Sequence, residues 1–274
     1  MATLYVNTDD QSGGEYASLA LAEADLPTTL TEPYVIECGG ATADTTATTI
    51  EGVTTDATNN LTIIGDSGGI WDSSKYRLST TIGTNINAAV NYTHFKKLQL
   101  SLESSGSGYR AAINLGSSSS IDGVLVAIRT TAIHCRGFFL SSGAVVKNSI
   151  VYNDGVTQSG TAVRATNTAE IYNCGVYNNG YGIYLGWSPQ TVKNCILVDN
   201  NINYYAPSGT AYLSNNITSD NTSLGTNSLI NQVATDLFTD PANFDFTLKA
   251  GSNAIGAGVD LSADFTTDIT GATR

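Results

Sequence analysis

Short alternations of apolar and polar residues recur along the middle of this chain at a nearly fixed interval. The segments Val146-Lys147-Asn148-Ser149-Ile150-Val151-Tyr152-Asn153, Ile171-Tyr172-Asn173-Cys174-Gly175-Val176-Tyr177-Asn178, Val192-Lys193-Asn194-Cys195-Ile196-Leu197-Val198-Asp199 and Leu213-Ser214-Asn215-Asn216-Ile217-Thr218-Ser219-Asp220 align without gaps. Asn148, Asn173, Asn194 and Asn215 share a column at intervals of 25, 21 and 21 residues, and steps of 26 extend it backwards to Asp122 and Lys96. A second column precedes these segments: Ile113, Ile133, Val163, Ile183 and Tyr204, each inside a short alternating strand. A period of this length with strands in constant order predicts a winding chain. One turn of three short strands and three bends uses about this many residues, and successive turns stack at about the 4.8 Å spacing of paired strands.

The expected fold is therefore all-β, a right-handed parallel β-helix with a short N-terminal capping helix and an irregular C-terminal cap. In such a stack, in-register asparagines form a ladder in which each side-chain amide donates to the next. An isolated asparagine would be explained by turn preference alone. Leu19, Ala22 and Leu26 fall at helical spacing within residues 15–26, before Pro27, and predict an amphipathic helix that covers the first turn. Residues 1–92 read as cap and early irregular coils, including the apolar runs at Tyr34-Val35-Ile36 and Leu61-Thr62-Ile63-Ile64. Residues 93–228 read as regular coils, and 229–274 as a closing segment of the same continuous domain.

Composition supports many short strands and tight turns. The chain is 41% hydrophobic and only 13% charged, with 27 glycines, which suits strands more than helices. A net charge of -12 repels nucleic acid and anionic lipid, so neither nucleic acid nor a membrane is an expected partner. Cys38, Cys135, Cys174 and Cys195 form no CxxC pair or Cys/His cluster. They are expected as buried thiols, Cys174 and Cys195 as stacked small apolar side chains, with a vertical disulfide as the alternative. No signal-like opening or apolar run of about 20 residues is present, so export by a standard signal is not expected. The Asn/Thr-rich composition generates the sequons at Asn60, Asn91, Asn216 and Asn221 by chance.

The opening Gly14-Glu15-Tyr16-Ala17-Ser18-Leu19 resembles the start of the right-handed β-helix proteins of the pectate-lyase-like superfamily. The end resembles their closing pattern more closely, in Asp240-Pro241-Ala242-Asn243, Asp245-Phe246-Thr247-Leu248, Gly251-Ser252-Asn253-Ala254-Ile255-Gly256-Ala257-Gly258 and Asp268-Ile269-Thr270-Gly271-Ala272-Thr273-Arg274. Together with the coils, the resemblance covers nearly the whole chain. It implies the fold and leaves function open, because that group holds polysaccharide lyases and hydrolases, surface proteins and proteins of bacteria and tailed phages. Relatives often continue into a further short strand beyond the position of Arg274. Either the sequence is cut short there or another chain completes the last turn.

Functional side chains are sought beside the second column. If its members point inward, the next residues point out: Asn114, His134, Arg164, Tyr184 and Tyr205, with Arg136 and Trp187 nearby. Arginine against a uronate carboxylate, with histidine and tyrosine as base and acid, suits β-elimination from an acidic polysaccharide. The aromatic members alone suit sugar stacking, and the same residue types are common at interfaces. The stripe holds neither a calcium-type carboxylate cluster nor a glycosidase carboxylate pair, so no metal or cofactor is expected. The function inferred is a non-catalytic structural or adhesion β-helix, a phage virion protein that decorates a capsid or tail and contacts host glycans. The alternative is a polysaccharide lyase using His134, Arg164 and Tyr184. Expected partners are further copies of the chain, a trimer above all, or a larger viral assembly, and a surface polysaccharide. Localisation would be the virion for a phage protein, and otherwise extracellular or at the cell surface.

Overall fold

The computed structural model describes residues 1–273 apart from 14, 82, 104–107, 131–133, 155–157, 159, 188 and 208–210. It is a right-handed parallel β-helix of about seven turns. Among the described residues, three sheets run along it. Sheet A stacks nine strands from Ala2–Asn7 to Ala211–Ser214, sheet B seven from Arg77–Thr80 to Ile217–Thr218, and sheet C seven from Thr48–Ile50 to Ile202–Tyr205. Tyr34–Gly39 and Leu61–Ile64, the early apolar runs, are strands of sheet A. Among the described residues, no helix is long and apolar enough to cross a membrane.

Period-2 alternation turns one ladder of apolar side chains from each sheet into the interior. In sheet A that ladder is Ile36, Ile63, Phe95, Ile121, Val146, Ile171 and Val192. Sheet B supplies Leu78, Leu100, Val126, Val151, Val176 and Leu197, and sheet C supplies Ile86, Ile113, Phe138, Val163 and Ile183. All are buried, each contributing about 1.5–3 kcal/mol. The first turn is closed differently. Helix α1, Leu19–Ala24, is capped by Ser18 Oγ accepting from the Leu21 N–H, and packs on the first strands of sheets A and C. Leu19 and Ala22 are buried and Leu26 is partly so. The buried Asp44 carboxylate accepts from the Leu19 N–H at 2.8 Å and from Tyr76 Oη at 2.9 Å, tying the helix to the core.

The corner from sheet A to sheet B explains the asparagines more fully than an amide ladder does. Asn148, Asn173, Asn194 and Asn215 all have φ between 50° and 58°, a left-handed conformation that asparagine tolerates better than most residues. Backwards, the left-handed column continues to Gly123 (φ 68°) and Lys97 (φ 49°). The expected members Asp122 and Lys96 instead end the preceding strands. The correction is one residue, and it follows from the backbone: the column is set by φ, and Gly123 meets that requirement without an amide. Side-chain stacking is also present, with Asn173 Nδ2 donating to Asn148 Oδ1 at 3.3 Å and Asn148 Nδ2 to Asp122 Oδ1 at 2.9 Å. Asn194 and Asn215 reach the closing segment, their Nδ2 atoms donating to the carbonyls of Val259 and Ala257.

Inside this corner runs a second ladder. Ser149, Cys174, Cys195 and Asn216 each follow a left-handed residue and turn inward. Ser149 Oγ accepts from the Val124 N–H at 3.1 Å and Asn216 Oδ1 from the Cys195 N–H at 2.9 Å, while the Ser149 backbone N–H faces Cys174 and favours its charged form. Ser149, Cys174 and Cys195 also donate to the carbonyl two residues before them. All four cysteines are buried free thiols. Cys174 and Cys195 are therefore polar rungs as well as small side chains.

The closing segment does more than end the helix. It folds back as a strap along the A-to-B corner: Ala257 meets Asn215, Val259 meets Asn194, Thr267 meets Asn148, and Ile269 lies against Gly123 and Gly69. Its helical turn Ala234–Leu237 and antiparallel pair Phe238–Asp240 and Asp245–Leu248 cover the outer face of sheet B. There Ala234, Leu237, Phe238 and Phe246 bury Leu125, Ala127, Tyr152, Val198 and Ile217. Arg274 and Ile133 lie outside the described residues.

Candidate functional site

Sheet C strands carry a local irregularity that decides which side chains reach the surface. In Thr161–Ala165 and Tyr181–Leu185 two consecutive residues point inward, so outward positions fall three apart. The second inward place is held by Ala112, Gly137, Ala162 and Gly182. A Cβ on Gly137 would lie 2.5 Å from the Ala162 carbonyl oxygen, and one on Gly182 2.4 Å from that of Asn203. Small residues are required because successive turns approach closely there.

The register then gives two outward columns. One is Ala111, Arg136, Thr161, Tyr181 and Ile202; the other is Asn87, Asn114, Phe139, Arg164, Tyr184 and Tyr205. Of the expected stripe, Asn114, Arg164, Tyr184 and Tyr205 share a column, and Arg136 stands in the adjacent one. His134 does not belong to it. Its place is taken by Phe139, because Phe138 rather than Ile133 pairs with Ile113 and Val163. Both Ile133-His134-Cys135 and Phe138-Phe139-Leu140 satisfy the alternation, but only the second puts small Gly137 at the close approach. His134 precedes the strand and packs on Tyr109, ring centroids 4.7 Å apart. Trp187 follows the Tyr181–Leu185 strand and is 75% exposed.

These side chains form a cation–aromatic chain along the axis. The Arg136 guanidinium lies 4.8 Å from the Tyr109 ring and 4.9 Å from that of Phe139, and Arg164 lies 4.8 Å from Tyr184. Tyr184 packs on Tyr205 at 5.1 Å, and Tyr181 touches both at 6.0 and 5.7 Å. At the other end, Asn114 Nδ2 donates to Asn87 Oδ1 at 2.7 Å. Partial burial and the neighbouring Arg164 hold the Arg136 guanidinium below its usual range. Arg164 Nε is buried with no hydrogen-bond partner among the described residues. Neither arginine is in an ion pair with a carboxylate among them. Two guanidiniums that repel each other and lack a counter-ion favour a bound anion. Also among the described residues, no group of three or more His, Cys, Asp or Glu side chains is placed to hold a metal ion.

Sequence reasoning missed Tyr109, Phe139 and Tyr181. The signal that reveals them is the recurrent small residue, which aligns Arg136-Gly137-Phe138-Phe139 with Tyr181-Gly182-Ile183-Tyr184.

No protein-family model matches the sequence, and no curated protein sequence matches it. Among solved structures, a rhamnogalacturonan lyase is similar, with a TM-score of 0.53 and 10% identity over 84% of this chain and 68% of that one. Identity this low speaks to architecture alone. The chain thus shares a parallel β-helix fold with that lyase.

Proposed function

We propose that this protein is a non-catalytic β-helix that binds an acidic polysaccharide along sheet C and serves as a structural or adhesion element of a larger assembly. The observation that carries the reading is the contrast between two outer faces. The apolar outward residues of sheet B are covered by the strap. The outward residues of sheet C, Arg136, Phe139, Arg164, Tyr181, Tyr184 and Tyr205, pair cations with aromatic rings, and both guanidiniums lack a carboxylate partner among the described residues. Aromatic faces stack on sugar rings while arginines take carboxylates, so the two residue types together select a charged glycan. The lyase reading is weaker because its proposed base, His134, is engaged with Tyr109 outside the column. A phage particle, or a homotrimer on a cell or virion surface, is the setting we propose.

The test is isothermal titration with a soluble polyuronate and its methyl-esterified, neutral form. Binding of the charged polymer alone is expected, weakened about 5- to 30-fold by Arg164→Ala or Arg136→Ala, which corresponds to about 1–2 kcal/mol. Equal binding of both forms, or no binding at millimolar sugar, refutes the proposal. Ultraviolet absorbance from unsaturated uronate products would instead establish a lyase.

A further inference from the structure

The strap encloses a second, chemically different space. Between it and the outer face of sheet B lies a crevice of about 780 Å³, within the range of small-molecule sites. Its floor is the outward ladder of sheet B, in which Ile150, Gly175, Ile196 and Ile217 occupy successive turns. Phe246, Leu248 and Ile255 of the strap form its walls, and Asp260 and Asp268 line it too.

One rung of the floor is missing. Every neighbour of Gly175 in the ladder is isoleucine, yet a Cβ there would meet only Ile150, at 3.5 and 3.9 Å, which is ordinary contact. Space for a side chain exists, and φ there is not left-handed. A glycine inside a strand weakens the strand, and it recurs where a ligand approaches the backbone. The asparagines that also line it, Asn148, Asn194 and Asn215, donate to strap carbonyls, and the floor beside Gly175 is formed by Ile150, Ile196 and Ile217. Among the described residues, no lysine, arginine or histidine lines the crevice, and two aspartates do. Lys147, over the Phe265 ring at 4.8 Å, is paired with Asp122 at 3.5 Å.

We infer that the crevice between the strap and sheet B is a binding site for a neutral apolar small molecule, seated over Gly175. The two carboxylates and the absence of a lining cation disfavour an anionic amphiphile such as a fatty acid. The site is independent of sheet C and does not rest on glycan binding.

The experiment uses the full chain and two fluorescent probes that share one ring system, neutral N-phenyl-1-naphthylamine and its sulfonated, anionic analogue. The neutral probe should saturate at one per chain and the sulfonate should bind at least about tenfold more weakly. Gly175→Ile fills the missing rung and should lower affinity for the neutral probe by about tenfold or more, with far-UV circular dichroism unchanged. Ile255→Asp, at a rim position 59% exposed and so tolerant in folding, should weaken it as well. Tyr184→Ala, on sheet C, should leave it unchanged. The inference is overturned by absence of saturation, by equal affinity for the sulfonate, by a folded Gly175→Ile or Ile255→Asp protein that binds as before, or by loss of binding in Tyr184→Ala.

Discussion

Replacing Cys174 with serine or with valine separates two accounts of the inner corner. If the stacked cysteines are only small apolar fillers, valine should serve at least as well as serine. The structure argues the reverse. Cys174 Sγ donates to the Tyr172 carbonyl at 3.2 Å with the Ser149 N–H facing it, and the side chain is buried. Ser149 fills the same place one turn earlier with a hydroxyl, accepting from Val124 and donating to Lys147. Cys174→Ser keeps both interactions and loses part of the sulfur's apolar burial, about 1 kcal/mol. Cys174→Val leaves a buried N–H without an acceptor and removes the donor, about 2–3 kcal/mol. Valine should therefore melt about 2–8 °C below serine, since 1 kcal/mol moves Tm by about 2–4 °C in a chain of this size. Urea denaturation followed by circular dichroism, under reducing conditions, measures the difference. A valine variant as stable as the serine one would falsify the hydrogen-bonded ladder.

Other perturbations test neighbouring parts of the argument. Asn216→Ala should cost about 3 kcal/mol by urea denaturation, because Asn216 satisfies the Cys195 N–H and the carbonyls of Val192 and Leu224 in a fully buried position. Gly123→Ala should destabilise by about 1–2 kcal/mol, since φ is 68° and the new Cβ would lie 3.1 Å from the Ile269 carbonyl oxygen. Proteolysis within the strap should accelerate in the same variant. His94 titrates below its usual range, through burial and then Lys96. The unfolded chain thus holds the extra proton between the folded value and about 6.5, and His94 lowers stability as pH falls through that window. Burial raises the carboxyls of Glu23 and Asp199, and they act in the opposite sense. The readout is consequently the difference between wild type and His94→Gln, which should shrink the loss of Tm from pH 7.5 to 5.5.

The fold was legible because the chain repeats the same physical problem in every turn. Each coil must turn a tight corner, and Asn148, Asn173, Asn194 and Asn215 solve it with one residue type. Where another type solved it, the column slipped: Gly123 and Lys97 adopt the same left-handed backbone, but neither resembles asparagine, so Asp122 and Lys96 aligned instead. The stripe was legible only in part for a similar reason. Alternation recognises an inward residue and not its register, so Ile133 and Phe138 were equivalent until the strand pairing chose Phe138. The choice is steric, and its trace in the sequence is the small residue at position 137.

Which outer face stays open is a property that no local pattern contains. Sheets B and C both present large side chains outward, and periodicity treats them alike. Chemistry distinguishes them. Sheet B offers Ile150, Ile196 and Ile217, with Tyr152 stacked on the strap's Phe244 and Tyr177 packed against its Phe246. Leaving that surface in water would forgo about 25 cal/mol per Å², which is a sufficient reason for a closing segment that doubles back. Sheet C offers guanidiniums and phenols, which lose hydration when covered by apolar chain and gain only from a partner that supplies charge or rings. The strap covers the face that repays burial by aliphatic and phenyl groups. Of the two faces compared, sheet C is therefore the one whose chemistry favours a polar, charged occupant, through Arg136, Arg164, Tyr184 and Tyr205.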